Sequence, residues 1–270
     1  MKKRSALLLL VSTVVVVACG SSDGSLSPDT KRLKNAAIST TTVPTQIVMG
    51  YKIVPGANLT SAYLVGANLS KANLLGAILQ GANLHNANLF GANLSKAHLT
   101  FANLTGANLA GANLTGANLA GVNLAGANLT GVNLVGVNLV GVNLVGVNLS
   151  GADLSKANLS KANLAGVNLT GANLTGAYLS FVNLNNANLT GANLTDAKLL
   201  NASMALVGLS KANLTGTYLV GAYLYKANLT GANLTGANLN KANMNKANLT
   251  GANLSGVKNL TDQQLKLAIR

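Results

Sequence analysis

The chain has 270 residues and a formal net charge of +14, and its composition is unusual for a globular protein. Only 3% of the residues are aromatic, Trp and Glu do not occur, and the five acidic residues are all Asp. Because so few large side chains cannot fill an ordinary mixed core, a repetitive arrangement must bury the apolar residues. The basic charge argues against an acidic protein that imitates nucleic acid.

The first residues have the pattern of a secretory signal peptide. Lys2, Lys3 and Arg4 precede a mostly apolar run of twelve residues, 6–17. A membrane span needs about twenty apolar residues, so this run predicts a targeting segment and not a transmembrane anchor. The single cysteine, Cys19, follows directly after the run and one small residue.

The letters "VVAC" that end at Cys19 resemble the lipobox of bacterial lipoproteins, although Val16 stands where that pattern usually has Leu. The resemblance implies cleavage before Cys19, diacylation of its thiol and acylation of its amine. We therefore expect a signal peptide at 1–18 and a lipidated, flexible tether rich in Ser and Thr at 19–44. The absence of Asp after Cys19 resembles lipoproteins of the outer membrane, in cells with two membranes. The alternative is an ordinary signal peptide followed by an unpaired thiol.

Residues 45–56 alternate in the manner of a β-strand. Ile47, Met49, Tyr51 and Ile53 occupy every second position. This spacing predicts one extended strand, with these four side chains on a common face. We expect the strand to cover the exposed edge of the repeat that follows.

Every fifth residue from Leu59 to Leu254 is Leu, except for Met204 and Met244, which gives forty units without an insertion. A small apolar residue, usually Ala, lies two positions before each Leu or Met, with Thr217 as the one polar exception, and Asn usually lies between the two. Residues two apart in an extended segment share a face, so Leu and Ala point inward and Asn points outward. Gly is commonest at the last position of the unit, which suits a turn with positive φ.

This pattern of a small residue, Asn or Asp, Leu and two variable residues resembles the pentapeptide-repeat family over positions 57–256. The resemblance implies an all-β fold, a right-handed quadrilateral parallel β-helix with twenty residues in each coil. Forty units then make ten coils in a rod about 50 Å long, at about 4.8 Å per coil. Thr261 and Gln264 form a capping box, which predicts a short cap helix in the C-terminal segment 257–270.

The sequence offers no set of residues for catalysis or for a metal ion. His85 and His98 fall on different sides of the expected coil, and Asp153 and Asp196 fall on different strips. A hydroxyl without a neighbouring base is a poor nucleophile. We therefore predict a protein without enzymatic activity, metal ion or other cofactor.

Two sets of outward side chains stand out when the sequence is unrolled at twenty residues per coil. The first combines aromatic residues with lysines near one end, which suits either a contact patch or a stack that stabilises the terminal coils. The second is a hydroxyl strip that resembles the ice-binding faces of some β-helical proteins, although Thr is also favoured in any exposed strand. The contact patch comprises Tyr178, Lys198, Tyr218, Tyr223, Tyr225 and Lys226. The hydroxyl strip comprises Thr130, Thr170, Thr190, Thr230 and Thr250, interspersed with Ser150 and Ser210.

Together these features predict a lipid-anchored structural or interaction module of the bacterial cell envelope, with an unidentified partner there. It would be a monomer or an end-to-end dimer. An ice or surface binder is one alternative, and a topoisomerase antagonist is another, since the family includes gyrase inhibitors that resemble DNA in charge. That activity needs carboxylates at the outward position, where this chain has only Asp153. The repeat lysines scatter over all four edges, so no specific binding of nucleic acid is expected.

Overall fold

A computed structural model describes residues 46–269. The predicted signal peptide at 1–18, the tether at 19–44 and Cys19 lie outside these residues. Regular secondary structure in the described part consists of strand β1 (Gln46–Val48), strand β2 (Tyr51–Ile53) and helix α1 (Asp262–Leu267). Between β2 and α1 the chain forms a long series of single-residue parallel β-bridges separated by turns.

The bridges define a coil of twenty residues. Bridging residues pair with the residue twenty positions further on, as Asn108 does with Asn128, except for Asn248, which pairs with Ile269, and they recur every five positions. One coil therefore has four sides. Leu109 N–H donates to the Asn128 carbonyl at 2.8 Å, and Asn128 N–H donates to the Ala107 carbonyl at 3.0 Å. Each coil thus forms a parallel ladder with the next, and few backbone groups stay unpaired except at the two ends.

The interior receives one large and one small side chain from each side of the coil. The repeat leucines from Leu59 to Leu249, with the two methionines among them, are at most 4% exposed. The small residues two positions earlier are buried as well, from Ala62 to Ala247. Thr217 is the one polar residue among them, and its hydroxyl donates to the Leu194 carbonyl at 2.8 Å. The predicted inward orientation of Leu and Ala is confirmed.

The chain turns from one side to the next through a residue in the left-handed backbone conformation. Gly occupies this corner most often, as at Gly111 with φ of 64°. Where another residue stands there it keeps the positive φ, as do Lys156 at 57° and Lys246 at 59°. This conformation costs an L-residue about 1 kcal/mol, and in return it directs the long side chain into solvent. The exposed corner lysines are Lys71, Lys96, Lys156, Lys161, Lys211, Lys226, Lys241 and Lys246.

The N-terminal segment is a hairpin, so the prediction of one strand over 45–56 is wrong. β1 pairs antiparallel with β2 through a two-residue turn at Met49 and Gly50, which both have positive φ as in a type I′ turn. Because the chain reverses at this turn, the four residues do not share one face. Ile47 and Met49 are 65% and 55% exposed, whereas Ile53 is buried.

The hairpin nevertheless contacts the first coil. Tyr63 N–H donates to the Tyr51 hydroxyl at 3.3 Å, and the Gln46 side chain donates to the Asn68 carbonyl at 3.5 Å. Val48 and Tyr51 pack against the core beside Ile53. Side chains of the hairpin therefore satisfy backbone groups of the first coil that have no preceding coil to pair with.

The C-terminal segment contains the predicted capping box. The Thr261 hydroxyl accepts from Gln264 N–H at 3.2 Å, and the Gln264 side-chain oxygen accepts from Thr261 N–H at 2.8 Å. The helix is shorter than the predicted segment 257–270, because the backbone becomes extended at Ala268. Ile269 then bridges to Asn248 in the position of a further rung.

Gln264 also connects α1 with the last repeat units. Its side-chain nitrogen donates to the carbonyls of Leu239 at 3.0 Å and Ala242 at 2.9 Å. We expect Gln264→Ala to lower the free energy of unfolding by about 1–2 kcal/mol, because it removes half of the capping box and both of these bonds. Gln263→Ala, at the exposed neighbouring position, is the matched control and should have almost no effect. Equal denaturation midpoints for the two variants would contradict this role of Gln264.

The backbone ladder is interrupted at one place in the described repeats. There the amides of Leu119 and Leu124 do not donate to Asn138 and Asn143, and Asn123 does not bridge to Asn143. The following coil is the one in which four successive inward positions hold Val in place of Ala: Val132, Val137, Val142 and Val147.

The interruption coincides with this run of Val, although Val147 also stacks on Val167 where the bridge between Asn148 and Asn168 is intact. A Val side chain has two more carbon atoms than the Ala that occupies this inward position in most units. An overpacked core relaxes through backbone shifts. Val122 lies twenty residues before Val142, so Val stacks on Val on the side where the bridge is missing. These two residues, at 7% and 6%, are the most exposed members of the buried core.

Candidate functional site

The first side of the predicted contact patch is a short stack of Tyr and Lys. Tyr178 bridges to Lys198, and Lys198 bridges to Tyr218, so the three lie on successive coils. The Lys198 ammonium nitrogen lies 3.5 Å from the centroid of the Tyr218 ring. This is a cation–π contact, which holds the lysine against the ring. Both tyrosines expose about half of their surface.

The next side carries a second aromatic pair. Tyr223 and Tyr225 have ring centroids 6.0 Å apart and ring planes inclined by 15°, so they stack. The Lys226 nitrogen lies 5.3 Å from the Tyr225 centroid. Because Tyr223 follows Tyr218 by one five-residue unit, these residues occupy the adjoining side of the same coil. The structure therefore brings all six residues of the predicted patch onto two neighbouring sides.

Three exposed apolar residues beside this patch were not predicted from the sequence. Phe181, Leu200 and Leu206 are 54%, 40% and 53% exposed. They stand at the two variable positions of their units, at the corners that border the Tyr223 side. Their positions within the twenty-residue coil, counted along the sequence, would have placed them beside the tyrosines. We call the whole set the aromatic–lysine surface: Tyr178, Phe181, Lys198, Leu200, Leu206, Tyr218, Tyr223, Tyr225 and Lys226.

Further lysines surround this surface. Lys161 and Lys241 stand at the same corner of the coil as Phe181, one coil before it and three coils after it, and Lys246 follows Lys226 by one coil. Among the described residues one carboxylate adjoins the surface, that of Asp196 at the corner before Lys198. The electrostatic potential here is therefore positive, and it favours anionic groups.

The hydroxyl strip is tied into the turns of the coil. Each of its five Thr hydroxyls donates to the side-chain oxygen of the Asn two residues earlier at 2.7 Å. The amide of the same Thr donates to that oxygen as well, as Thr130 N–H does to Asn128 at 3.1 Å. Such local bonds stabilise a turn and use the only hydrogen of the hydroxyl. The row of Thr therefore has a structural explanation that needs no external ligand.

The outward Asn residues form hydrogen-bonded ladders between successive coils. The amide nitrogens of Asn88, Asn108 and Asn128 each donate to the Asn one coil earlier, at 3.3–3.4 Å. Asp153 fits into such a ladder as an acceptor, from Asn173 at 3.1 Å. A ladder of this kind presents amides, and not a row of carboxylates, to the solvent.

Chemistry-bearing side chains stay apart in the part of the chain that the structure describes. No three His, Cys, Asp or Glu side chains come together there as a metal site. His85 lies at a corner beside Asn86, while His98 bridges to Ile78 within a side. An open cavity of about 450 Å³ between α1 and the last units, next to Met244, has neither His nor Asp in its lining. It therefore contains no acid–base pair.

None of the helices in residues 46–269 is long and apolar enough to cross a membrane.

Twenty-residue coils with inward Leu and outward Asn define a parallel β-helix of five-residue repeats. The model of the family "Pentapeptide repeats" matches the chain in eight copies. The matched residues fall in the ranges 57–95, 92–131, 133–171, 172–207, 208–245 and 227–258. The chain belongs to the pentapeptide-repeat family, whose fold is a right-handed quadrilateral β-helix. Members of this family are generally structural or interaction proteins without catalytic activity.

Several solved structures are similar to this chain. HetL, a pentapeptide-repeat protein involved in the regulation of heterocyst differentiation in the cyanobacterium Nostoc sp. strain PCC 7120, is 33% identical over 76% of this chain and 87% of its own, with a TM-score of 0.48. Rfr23 from the cyanobacterium Cyanothece 51142 is 30% identical over 51% of this chain and 90% of its own, with a TM-score of 0.30. A variant of QnrB1, a plasmid-mediated fluoroquinolone resistance protein, is 17% identical over 80% and 99% of the two chains, with a TM-score of 0.34. No curated protein matches the sequence significantly.

Proposed function

We propose that this protein is a non-catalytic interaction module of the bacterial cell envelope, attached to a membrane by lipid at Cys19. The observation that carries the proposal is the aromatic–lysine surface. Six exposed Tyr, Phe and Leu side chains lie there on three successive coils beside lysines, whereas a second exposed apolar group, which includes Tyr63, Phe90 and Phe101, lies in the first coils. A concentration of aromatic residues with neighbouring cations is typical of contact surfaces between proteins.

The sequence before the repeats supports attachment to a membrane. A diacylated thiol and an acylated amine at Cys19 supply three chains, and stable anchoring requires about two such signals. The tether at 19–44 would then connect the lipid to the β-helix. A tether of this composition lets the module reach partners near the membrane without a fixed orientation.

The described geometry favours this proposal over the two alternatives. An ice or surface binder would need the hydroxyl strip to be available, but each of its five Thr hydroxyls donates its hydrogen within its own turn. A topoisomerase antagonist that resembles DNA would need a row of carboxylates, and the outward ladders consist of amides interrupted by Asp153. The contacts of Gln264 and Ile269 with the last units occupy the end of the β-helix, which supports a monomer over an end-to-end dimer.

Fractionation of bacteria that express the full-length chain tests the proposal. The parent protein is expected in the membrane fraction and in the soluble fraction only after addition of detergent. Cys19→Ala should be soluble without detergent, because the acceptor of the lipid is missing. Val16→Leu, which brings the lipobox closer to its usual pattern, is the matched control and should remain with the membranes. A parent protein that stays soluble and cytoplasmic would contradict the proposal.

A further inference from the structure

We propose that the aromatic–lysine surface binds an acidic segment of another protein, in which aliphatic or aromatic side chains alternate with Asp or Glu. The inference rests on the proposed function, because it names the chemistry of the partner that the module would hold. It is carried by three properties of the surface: a group of exposed apolar side chains, a basic border and side chains that are already held in place.

Exposed apolar side chains lie on three successive coils at the corners that border the Tyr223 side, and Asn183 and Ser203 precede Tyr223 on that side. Phe181 and Leu206 expose more than half of their surface, and Leu200, Tyr218 and Tyr223 expose 40–46%. Single exposed apolar side chains are ordinary, but a group on two adjoining sides excludes water when a partner covers it. The aliphatic side chains of Leu200 and Leu206 favour a partner that also offers apolar side chains. A polysaccharide or a nucleic-acid backbone offers few of these.

The border of the surface is basic, so it favours a partner that carries negative charge. Lys161, Lys241 and Lys246 surround the exposed apolar side chains, and Lys198 and Lys226 lie within the surface. Among the described residues, one carboxylate adjoins the surface, that of Asp196. Complementary charge across an interface speeds association and rejects partners of the same sign. A second copy of this chain is such a partner, since it carries a formal charge of +14 and has no Glu.

Several side chains of the surface are held in place before a partner arrives. Lys198 lies over the ring of Tyr218 at 3.5 Å, and Tyr223 stacks on Tyr225. Their backbones belong to the bridged ladder, as the bridges from Lys198 to Tyr218 and from Ser203 to Tyr223 show. Binding therefore immobilises few additional rotatable bonds, which lowers its entropic penalty.

Titration of the purified full-length chain with labelled peptides tests the inference. The probe is a 16-residue peptide in which Glu and Asp alternate with Leu and Phe, and fluorescence anisotropy reports its binding. We expect the probe to bind, polyglutamate of equal length to bind at least tenfold more weakly, and the same peptide with Lys in place of its acidic residues not to bind. The affinity for the probe should fall as the salt concentration rises, because exposed charges are screened.

Two double variants locate the binding. Leu206→Ser with Tyr218→Ser should weaken binding of the probe at least tenfold. Tyr63→Ser with Leu75→Ser removes the same residue types from exposed positions in the first coils, and should leave the affinity unchanged. Unchanged melting temperatures in both variants would show that the fold is retained.

The inference is overturned if the probe binds no tighter than polyglutamate, or if both double variants weaken it equally. It is also overturned if vesicles of phosphatidylglycerol bind through Leu206 and Tyr218 while the peptide does not, since the surface would then contact lipid. These outcomes are independent of the fractionation experiment. Loss of peptide binding leaves membrane attachment at Cys19 intact, and a soluble parent protein leaves peptide binding intact.

Discussion

Leu139→Asp is expected to unfold the β-helix, with a loss of more than about 4 kcal/mol in the free energy of unfolding. Leu139 is 1% exposed, and Leu119 and Leu159, at the same position of the coils before and after it, are buried as well. A carboxylate at this position has neither water nor a cationic partner. The loss of stability should appear as a large fall in the denaturant concentration at the midpoint of unfolding, which far-ultraviolet circular dichroism measures.

Asn138→Asp is the control for this substitution. It places the same carboxylate one residue earlier, on the exposed side of the same unit. Surface substitutions of this kind change stability by less than about 0.5 kcal/mol. If the two variants unfolded at the same denaturant concentration, the inward orientation of the repeat leucines would be wrong.

Amide hydrogen exchange should be fastest, within the repeats, at the interrupted part of the ladder. The amides of Leu119 and Leu124 lack the acceptor that their counterparts have elsewhere, whereas Leu159 donates to the Tyr178 carbonyl at 2.7 Å. We expect exchange at the first two to be faster by at least about a hundredfold, because it needs no opening of the coil. Mass spectrometry of peptides from the exchanged protein measures the difference.

Replacement of the stacked valines tests the cause of this difference. Val122→Ala with Val142→Ala should slow exchange at Leu119 and Leu124, because the interior regains the volume that the other coils have. The control replaces Val182 and Val207 by Ala, two isolated valines in an intact part of the ladder. If exchange at Leu119 and Leu124 stayed unchanged in the first variant, overfilling by Val would not explain the interruption.

The repeat architecture follows from the sequence because each five-residue unit determines its own orientation. Leu in every unit requires an interior, Asn beside it can pair with Asn one coil away, and Gly at the corner supplies the positive φ. The hairpin was missed because alternation at Ile47, Tyr51 and Ile53 fits a strand on either side of a turn. The decisive signal was Gly50, since Gly within an alternating segment often marks a chain reversal.

The aromatic–lysine surface could be predicted only in part. Aromatic side chains at the position normally held by Asn, such as Tyr178 and Tyr218, interrupt a regular pattern and are easily seen. Phe181, Leu200 and Leu206 occupy variable positions, where any residue is tolerated, so only their register in the coil relates them to the tyrosines. The run of four Val indicates a fuller interior, but it does not determine whether the backbone ladder is interrupted there.

The intact mass of the protein purified from bacterial membranes tests the central claim most directly. Attachment to the envelope through Cys19 predicts a chain that begins at Cys19 and carries the added mass of a diacylglyceryl group and an acyl chain, whereas Cys19→Ala carries neither. An unmodified mass for the parent protein would contradict lipid attachment, and with it the assignment of this β-helix to the cell envelope.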